Sequence, residues 1–268
     1  NKNFSDLWIV STDGGAPRQL TTDPAADKHA AWSPDGKWIA FESTRSGDSQ
    51  IWLMKPDGSE ATQFTKISTS ASTPLWSPDG TMIAFVSDVF PEFCALPFAI
   101  SDSLNKKKLD DAEESKVKAK ILTQLFYKHW DSWLEGKRQH VFVQGVTGGN
   151  PVDVTPIMRD GVPRSTTFSA GAEFAFSPDS KEIAYTASPI NTREEAWSTN
   201  YDIWIVPLDG RSPRQITTNS AADGCPRYSP DGKYIAYRAQ STPGFEADRW
   251  QLMLFDRATA QTRSLTAN

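Results

Sequence analysis

The sequence is poor in the residues that build metal and disulfide sites. Its 268 residues include only 2 cysteines and 3 histidines. Two cysteines exclude a disulfide scaffold and a structural zinc site made of cysteine alone. Lys and Arg number 28 against 33 Asp and Glu, a net charge of −5, so the basic face typical of proteins that bind nucleic acid or anionic membranes is missing. No apolar run approaches the roughly 20 residues that span a bilayer.

The motifs of common catalytic sites are also missing. The sequence has no G-x-S-x-G elbow, P-loop, G-x-G-x-x-G, H-E-x-x-H or EF-hand loop. The nearest approach to the elbow, at 210–214, lacks its second glycine and falls in a predicted hairpin. Nothing supports a Ser-His-Asp triad built from His29, His129 or His140. We therefore predict no catalytic residue, no cofactor and no metal in this chain.

What the sequence has instead is an internal repeat. Four near-copies of one ten-residue string read WSPDGKWIAF, WSPDGTMIAF, FSPDSKEIAY and YSPDGKYIAY, beginning at Trp32, Trp76, Phe176 and Tyr228. Ser-Pro-Asp-Gly is typical of a tight turn, because Pro fixes φ, Asp bonds nearby backbone and Gly adopts positive φ. The apolar residues that follow are typical of a buried strand.

A second element recurs after each copy and predicts two further strands. One example is DIWIV at 202–206, which is followed by Gln-Ile-Thr at 215–217. Similar elements begin at Asp6, Gln50, His140 and Gln251. Each period of about 40–50 residues thus holds four short antiparallel strands, here called A to D, which is the pattern of a β-propeller blade. Four near-copies of one string disfavour the alternative of a β-sandwich.

We predict an all-β fold, a partial β-propeller of four-stranded antiparallel blades with one short helical insertion. A half blade with strands C and D occupies 1–22, and four complete blades follow at 23–66, 67–156, 157–218 and 219–268. Because a partial ring leaves sheet edges unpaired, we expect a piece of a larger propeller. The chain starts with Asn rather than Met, so we also expect an upstream segment to have been removed.

The longest connection joins strands B and C of the second complete blade and contains the insertion, about 88–137. Acidic residues at 110–114 followed by lysines predict a charged helix that begins with the acids. Apolar residues at helical spacing predict a face packed on the propeller: Val117, Ile121, Leu122 and Leu125. All B–C connections share one end of the propeller, and long connections usually carry function.

Two groups on this end are candidate substrate-binding residues. His129, Trp130 and Asp131 would orient a substrate against the indole, or Trp130 would anchor the insertion while Asp131 bonds His129; the structural alternative is favoured. Glu194 and Glu195 would hold a charged peptide N-terminus, or would form a solvated acidic loop.

Three further features leave alternatives open. Trp197 lies close to the glutamate pair in sequence and is grouped with it, and Glu92 has the same two interpretations as that pair. Cys94 and Cys225 would form a disulfide only if the fold brings their loops together, and unpaired thiols are the alternative.

The repeat resembles the propeller repeats of TolB and of prolyl-oligopeptidase-family serine peptidases. The insertion is similar to that of the dipeptidyl-peptidase V and acylaminoacyl-peptidase branch, on the strings FVSDVFPE at 85–92, LFYKHWDSW at 125–133 and Gly-Lys-Arg at 136–138. The resemblance covers essentially the whole chain.

The resemblance implies a propeller joined to an α/β-hydrolase domain of the same parent chain, which carries the Ser-Asp-His triad. This sequence lacks that domain, so no triad residue is assigned and we expect the segment alone to be inactive. The implied role is substrate gating and positioning of a short peptide's N-terminus in a serine exopeptidase that is periplasmic or secreted. Glu92 and the pair Glu194 and Glu195 would bind the amine. The alternative is a TolB-like interaction propeller of the bacterial envelope without enzyme activity.

Overall fold

The repeated strings form four separate four-stranded antiparallel sheets in the computed structural model. The structure describes residues 4–117, 119–123, 125, 127–129, 132–164 and 173–266. In each sheet the strands pair with their sequence neighbours, as expected for propeller blades. The predicted fold, a partial β-propeller with four complete blades and a half blade, is confirmed.

The half blade consists of β1 (Trp8–Ile9) and β2 (Arg18–Gln19). Blade 1 consists of β3 (Asp27–Trp32), β4 (Ile39–Ser43), β5 (Gln50–Met54) and β6 (Thr62–Gln63). Blade 2 consists of β7 (Ser72–Trp76), β8 (Met82–Val89), β11 (Arg138–Gly145) and β12 (Val152–Asp153). Blade 3 consists of β13 (Phe174–Phe176), β14 (Glu182–Ala187), β15 (Asp202–Pro207) and β16 (Arg214–Gln215). Blade 4 consists of β17 (Asp223–Tyr228), β18 (Tyr234–Ala239), β19 (Gln251–Asp256) and β20 (Thr262–Ser264).

The Ser-Pro-Asp-Gly turns are held by their own side chains. In blade 1 the Ser33 hydroxyl donates to Asp35 Oδ1 at 2.8 Å and accepts the Trp38 N–H at 2.9 Å. Gly36 has a φ of +67°, which glycine adopts without strain. The hydroxyl of Ser33 also lowers the pKa of the Asp35 carboxyl. The same serine-to-aspartate bond recurs in the other three blades, so these aspartates serve the turns.

The threonine that ends each second element closes the C–D hairpin. Its hydroxyl accepts the backbone N–H of the residue fourteen positions earlier, as Thr65 does from Ile51 at 2.8 Å. The same bond is made by Thr21, Thr155, Thr217 and Thr266. The repeat therefore encodes a side-chain bond that replaces a rung of the sheet where the short D strand ends.

The hydrophobic core lies between neighbouring blades. Val86 and Val141 of blade 2 pack with Phe174 and Tyr185 of blade 3, and equivalent clusters join the other neighbours. Burial of these apolar faces stabilises the stacking of each blade on the next.

The exposure of the aromatic residue before the Ser-Pro-Asp turn differs between blades that have a complete neighbour and blade 1, which follows the half blade. Trp76 is 9% exposed against blade 1, whereas Trp32 is 50% exposed. The unit that precedes Trp32 has two strands in the described part of the chain, so less surface covers its indole.

The helix of the insertion differs from the prediction. Helix α1 spans Phe98–Glu114, so the acids at 110–114 end the helix instead of starting it. Lys106 and Lys107 precede Asp110 and Asp111 by four residues and pair with them at 2.9 and 2.6 Å. Pairs at this spacing stabilise a continuous helix, and this is the signal that the prediction missed.

The expected apolar helical face is also absent. Val117, Ile121, Leu122 and Leu125 lie beyond the helix and are exposed. The helix is attached by both polar and apolar contacts. The buried Asn105 accepts the Phe90 N–H at 2.8 Å, and the Phe98 ring packs edge-on to Phe142. The chain then forms a small hairpin of β9 (Lys128–His129) and β10 (Ser132–Trp133) before it enters β11. In the described residues, no helix has the length and apolarity required to cross a membrane.

Candidate functional site

A group of charged side chains lies where blades 2 and 3 meet at the end that carries the long connections. We call it the arginine–carboxylate cluster, and it consists of Asp88, Arg138, Asp160, Arg164 and Glu195. Asp88 is near the end of β8 and Arg138 is the first residue of β11, so the two flank the insertion. Glu195 lies in a short 3₁₀ turn, Glu195–Trp197, within the B–C connection of blade 3.

Arg138 is the central cation of the cluster. Its Nη1 donates to Asp160 Oδ2 at 3.1 Å, and its Nη2 lies 3.1 Å from Glu195 Oε2. Its side chain is only 6% exposed. Arg164 bridges the other side, with Nε 3.0 Å from Asp160 Oδ1 and Nη2 2.9 Å from Asp88 Oδ1. The two guanidinium groups thus join four chain segments, at Asp88, Arg138, 160–164 and Glu195.

The cluster has more negative than positive charge. Three carboxylates face two guanidinium groups, a formal excess of one negative charge. Burial raises the pKa of Glu195, and the charge of Arg138 opposes that shift. A low-dielectric site with an excess carboxylate favours the approach of a further cation.

The structure brings three of the predicted site residues together. Glu194 precedes the 3₁₀ turn and Trp197 ends it, with the Trp197 N–H donating to the Glu194 carbonyl at 3.0 Å. Glu195 is bound to Arg138, whereas the Glu194 side chain is exposed and accepts from Asn191 Nδ2 at 3.1 Å. Trp197 is 76% exposed. The pair therefore divides into an inner and an outer carboxylate.

The remaining predicted residues are not joined to this turn by any contact within the described ranges. Glu92 lies in another 3₁₀ turn, Pro91–Phe93, and pairs with Lys108 of α1. His129 is in β9, opposite Ser132. Trp130 and Asp131 lie outside the described residues, so their grouping with His129 stays a prediction.

Sequence reasoning missed Asp88, Asp160 and Arg164 and gave Arg138 no role. Asp160 and Arg164 are four residues apart, but Asp88, Arg138 and Glu195 are far apart along the chain, and the tertiary fold brings them to the same cluster. No local spacing pattern carried that information. The one available signal was an arginine at the start of a buried strand, where an unpaired charge is costly and a partner is therefore expected.

The two cysteines are not bonded to each other. The Cys225 thiol donates to Glu173 Oε1 at 3.2 Å, and burial raises the pKa of the Cys94 thiol. The alternative in which the two cysteines form no disulfide is therefore correct. Across the described ranges, no three His, Cys, Asp or Glu side chains are grouped to hold a metal ion.

Comparisons with known proteins relate this chain to propeller domains. Residues 1–109 match the family model described as the TolB beta propeller domain. Dipeptidyl-peptidase 5 of Porphyromonas gingivalis is 34% identical over 266 residues, which cover 97% of this chain. This chain is homologous to part of dipeptidyl-peptidase 5. It spans 37% of the length of that relative.

Solved structures agree on the fold. The putative TolB of Agrobacterium tumefaciens aligns with a TM-score of 0.57 at 18% identity, over 97% of this chain and 73% of that one. The acylaminoacyl peptidase of Pyrococcus horikoshii aligns with a TM-score of 0.59 at 13% identity, over 97% of this chain and 34% of that one. These alignments show that this chain has the same propeller fold.

Proposed function

We propose that this chain is the substrate-gating and N-terminus-positioning propeller of a serine exopeptidase, a dipeptidyl or acylaminoacyl peptidase that cleaves short peptides. The observation that carries the proposal is the excess negative charge at the long-connection end of a propeller homologous to dipeptidyl-peptidase 5. The nucleophile would come from an α/β-hydrolase domain of the same parent chain, and this segment would contribute binding alone. The proposed location is periplasmic or secreted.

Glu194 is the residue that would meet the substrate amine. Its carboxylate is exposed, so it can exchange water for an ammonium group at little cost. Glu195 would act as a positioning residue, because its bond to Arg138 fixes the turn that presents Glu194. The exposed indole of Trp197 would cover the first side chains of the peptide.

The other predicted residues would line the same end. Glu92, His129, Trp130 and Asp131 belong to the insertion, which would shape the entrance and exclude folded proteins. The exposed apolar side chains beyond α1, such as Ile121 and Leu122, would face the hydrolase domain.

The test uses the full-length protein and two substrates that differ only in a free or an acetylated N-terminus. Glu194→Gln should raise KM for the free-amine peptide about tenfold, because a charge-assisted contact is lost, and leave the acetylated peptide unchanged. Glu60→Gln is the matched control, since Glu60 is exposed on a C–D hairpin at the opposite end. Equal effects of Glu194→Gln on both substrates would remove this residue from amine binding.

A TolB-like interaction propeller remains the second candidate, favoured by the family match over residues 1–109. The two candidates differ in whether the full-length protein has a serine nucleophile. Covalent labelling by a fluorophosphonate probe is expected for the peptidase. A full-length protein that resists the probe, and that a partner protein captures at the long-connection end, would favour the interaction propeller.

A further inference from the structure

Two junctions between blades are built from matching sequence. Segment 202–241 repeats segment 6–45 without insertion or deletion, so each residue has a counterpart 196 positions later. Each segment runs from strand C of one unit to the end of strand B of the next. The first forms the junction between the half blade and blade 1, and the second forms the junction between blades 3 and 4. Differences between the junctions therefore arise from side chains.

Both junctions start with an acid that accepts the same two hydrogen bonds, although Asp6 is exposed and Asp202 is buried. Asp6 accepts hydrogen bonds from a Gln amide and a Thr hydroxyl, and its counterpart Asp202 accepts the same pair. A second acid follows in each, Asp27 in the first and Asp223 in the second, and each is 1% exposed. Each junction thus places a deeply buried carboxylate at the start of strand A.

In the first junction a guanidinium group neutralises that carboxylate. Arg45 Nη2 lies 2.7 Å from Asp27 Oδ2. The guanidinium carbon also lies 5.1 Å from the ring centres of both Phe41 and Trp52. One carboxylate and two aromatic faces therefore form a guanidinium site that the chain fills with its own arginine.

The second junction has similar side chains around the equivalent position but no arginine. The counterpart of Arg45 is Ser241 and that of Phe41 is Tyr237. Trp52 lies outside the repeated segment, but Met253 pairs with Tyr237 across the sheet as Trp52 pairs with Phe41. Ser241, Tyr237, Met253 and Asp223 line an open pocket of about 570 Å³ between the blades. An aromatic ring and a polarizable thioether still offer a surface suited to a flat cation.

The carboxylate of this pocket lacks a cation. Asp223 Oδ1 accepts from Asn219 Nδ2 at 3.0 Å, but its buried Oδ2 has no hydrogen-bond partner among the described side chains. Neither Asp223 nor Asp202 has a Lys or Arg at ion-pair distance within the described ranges. Burial raises the pKa of Asp223 to about 6 and that of Asp202 to about 7, and the charge of Asp223 adds to the latter shift.

We propose that the pocket between blades 3 and 4 binds the guanidinium group of an arginine side chain in a peptide. Asp223 Oδ2 accepts from the guanidinium, and Tyr237 and Met253 flank its plane as Phe41 and Trp52 flank Arg45. A metal ion fits less well, since no grouping of three metal-ligating side chains occurs in the described residues. This assignment does not depend on whether the protein cleaves peptides.

The test is a titration of the full-length protein with N-acetyl-arginine amide, followed by NMR or calorimetry. N-acetyl-citrulline amide is the control ligand, because it has a similar shape and no charge. We expect saturable binding of the arginine ligand alone, weakened at least about tenfold by Asp223→Asn. Ser241→Arg should abolish binding while raising the melting temperature, because it supplies the guanidinium from within the chain. Failure of the wild-type protein to bind the arginine ligand overturns the proposal.

Two further variants separate this site from the others. Glu194→Gln and Asp209→Asn each remove an exposed carboxylate and should leave the binding unchanged, so failure here is distinguishable from failure of the proposed peptidase role. Arg45→Ser opens the matching first junction and should raise the stoichiometry from one to two. An Arg45→Ser protein that folds and still binds one equivalent would contradict the idea that a buried carboxylate and its flanking side chains are enough to bind the ligand.

Discussion

Glu195 and Arg138 meet across the junction of blades 2 and 3, with Oε2 and Nη2 3.1 Å apart. The contact ties the B–C connection of blade 3 to the strand that follows the insertion of blade 2. Because Arg138 is buried and also bound to Asp160, its two partners depend on the same cation. This contact is why Glu195 faces inward and Glu194 remains exposed.

Loss of Arg138 should be strongly destabilising. Arg138→Met leaves two carboxylates without their shared partner, and breaking a buried ion pair costs about 3–5 kcal/mol. The measurement is urea unfolding at pH 7. The control is Arg193→Met, which removes an exposed arginine from the same connection and should change stability by less than about 0.5 kcal/mol. Equally small decreases in the free energy of unfolding for both variants would show that the arginine–carboxylate cluster contributes little to stability.

Removal of a hairpin threonine should lower stability by an intermediate amount. Thr65 is fully buried, accepts the Ile51 N–H at 2.8 Å and donates to Gln50 Oε1 at 2.8 Å. Thr65→Val removes the acceptor of the Ile51 N–H and leaves Gln50 Oε1 with the Ile67 N–H at 3.2 Å, which costs about 1–3 kcal/mol. Thr62→Val, at an exposed position of β6, is the control. Equal melting temperatures for the two variants would contradict the structural role of the hydroxyl.

Asp223 should make stability fall as pH rises. Burial raises its pKa to about 6, above the ordinary value of 3.8, so the folded protein holds the proton more tightly than the unfolded chain. Its contribution is therefore most favourable below about pH 4 and is lost as pH rises through about 6. The loss is on the order of 3 kcal/mol.

The check is the free energy of unfolding of wild type and Asp223→Asn at pH 4.5 and pH 8. The asparagine at position 223 does not titrate, so the free energy of unfolding of the variant should decrease less between the two pH values than that of wild type. Asp231→Asn removes a turn aspartate of the same blade whose pKa is lowered by the Ser229 hydroxyl, and should not flatten the profile. Parallel profiles for wild type and Asp223→Asn would refute the shift.

Asn105 should stabilise the helix of the insertion against local unfolding. It is 2% exposed, accepts the Phe90 N–H at 2.8 Å and donates to the Ser101 carbonyl at 2.8 Å. Asn105→Ala removes one buried bond that joins α1 to the chain before it, at a cost of about 1–3 kcal/mol. Hydrogen exchange should accelerate across Phe98–Glu114 and stay unchanged in blade 4. Lys107→Ala, on the exposed face of α1, is the control, and equal exchange in both variants would contradict the anchoring role.

The blades could be predicted because their information is local. Ser33, Asp35 and Gly36 fix a turn within a few residues, and the apolar string after them fixes a buried strand. The insertion shows the limit of such reasoning. Its acids were assigned to the start of a helix on the macrodipole argument, whereas the Lys106 and Asp110 spacing places them at its end.

The candidate site could be predicted only in its local part. Glu194, Glu195 and Trp197 share one turn, so sequence alone grouped them. Their division into an inner and an outer carboxylate depends on Arg138, which another blade supplies. The contact between Glu195 and Arg138 joins two blades through residues outside the ten-residue string that recurs along the chain.

The sequence by itself determined the strands, the turns and the number of blades, because each depends on bonds between residues close along the chain. Only the tertiary structure decided which buried charges are paired. Asp27 and Asp223 occupy matching positions in similar segments, yet Arg45 neutralises the first and Ser241 leaves the second without a cation. Whether a carboxylate is neutralised depends on what the fold places beside it, because ion pairs act through space and weaken with distance.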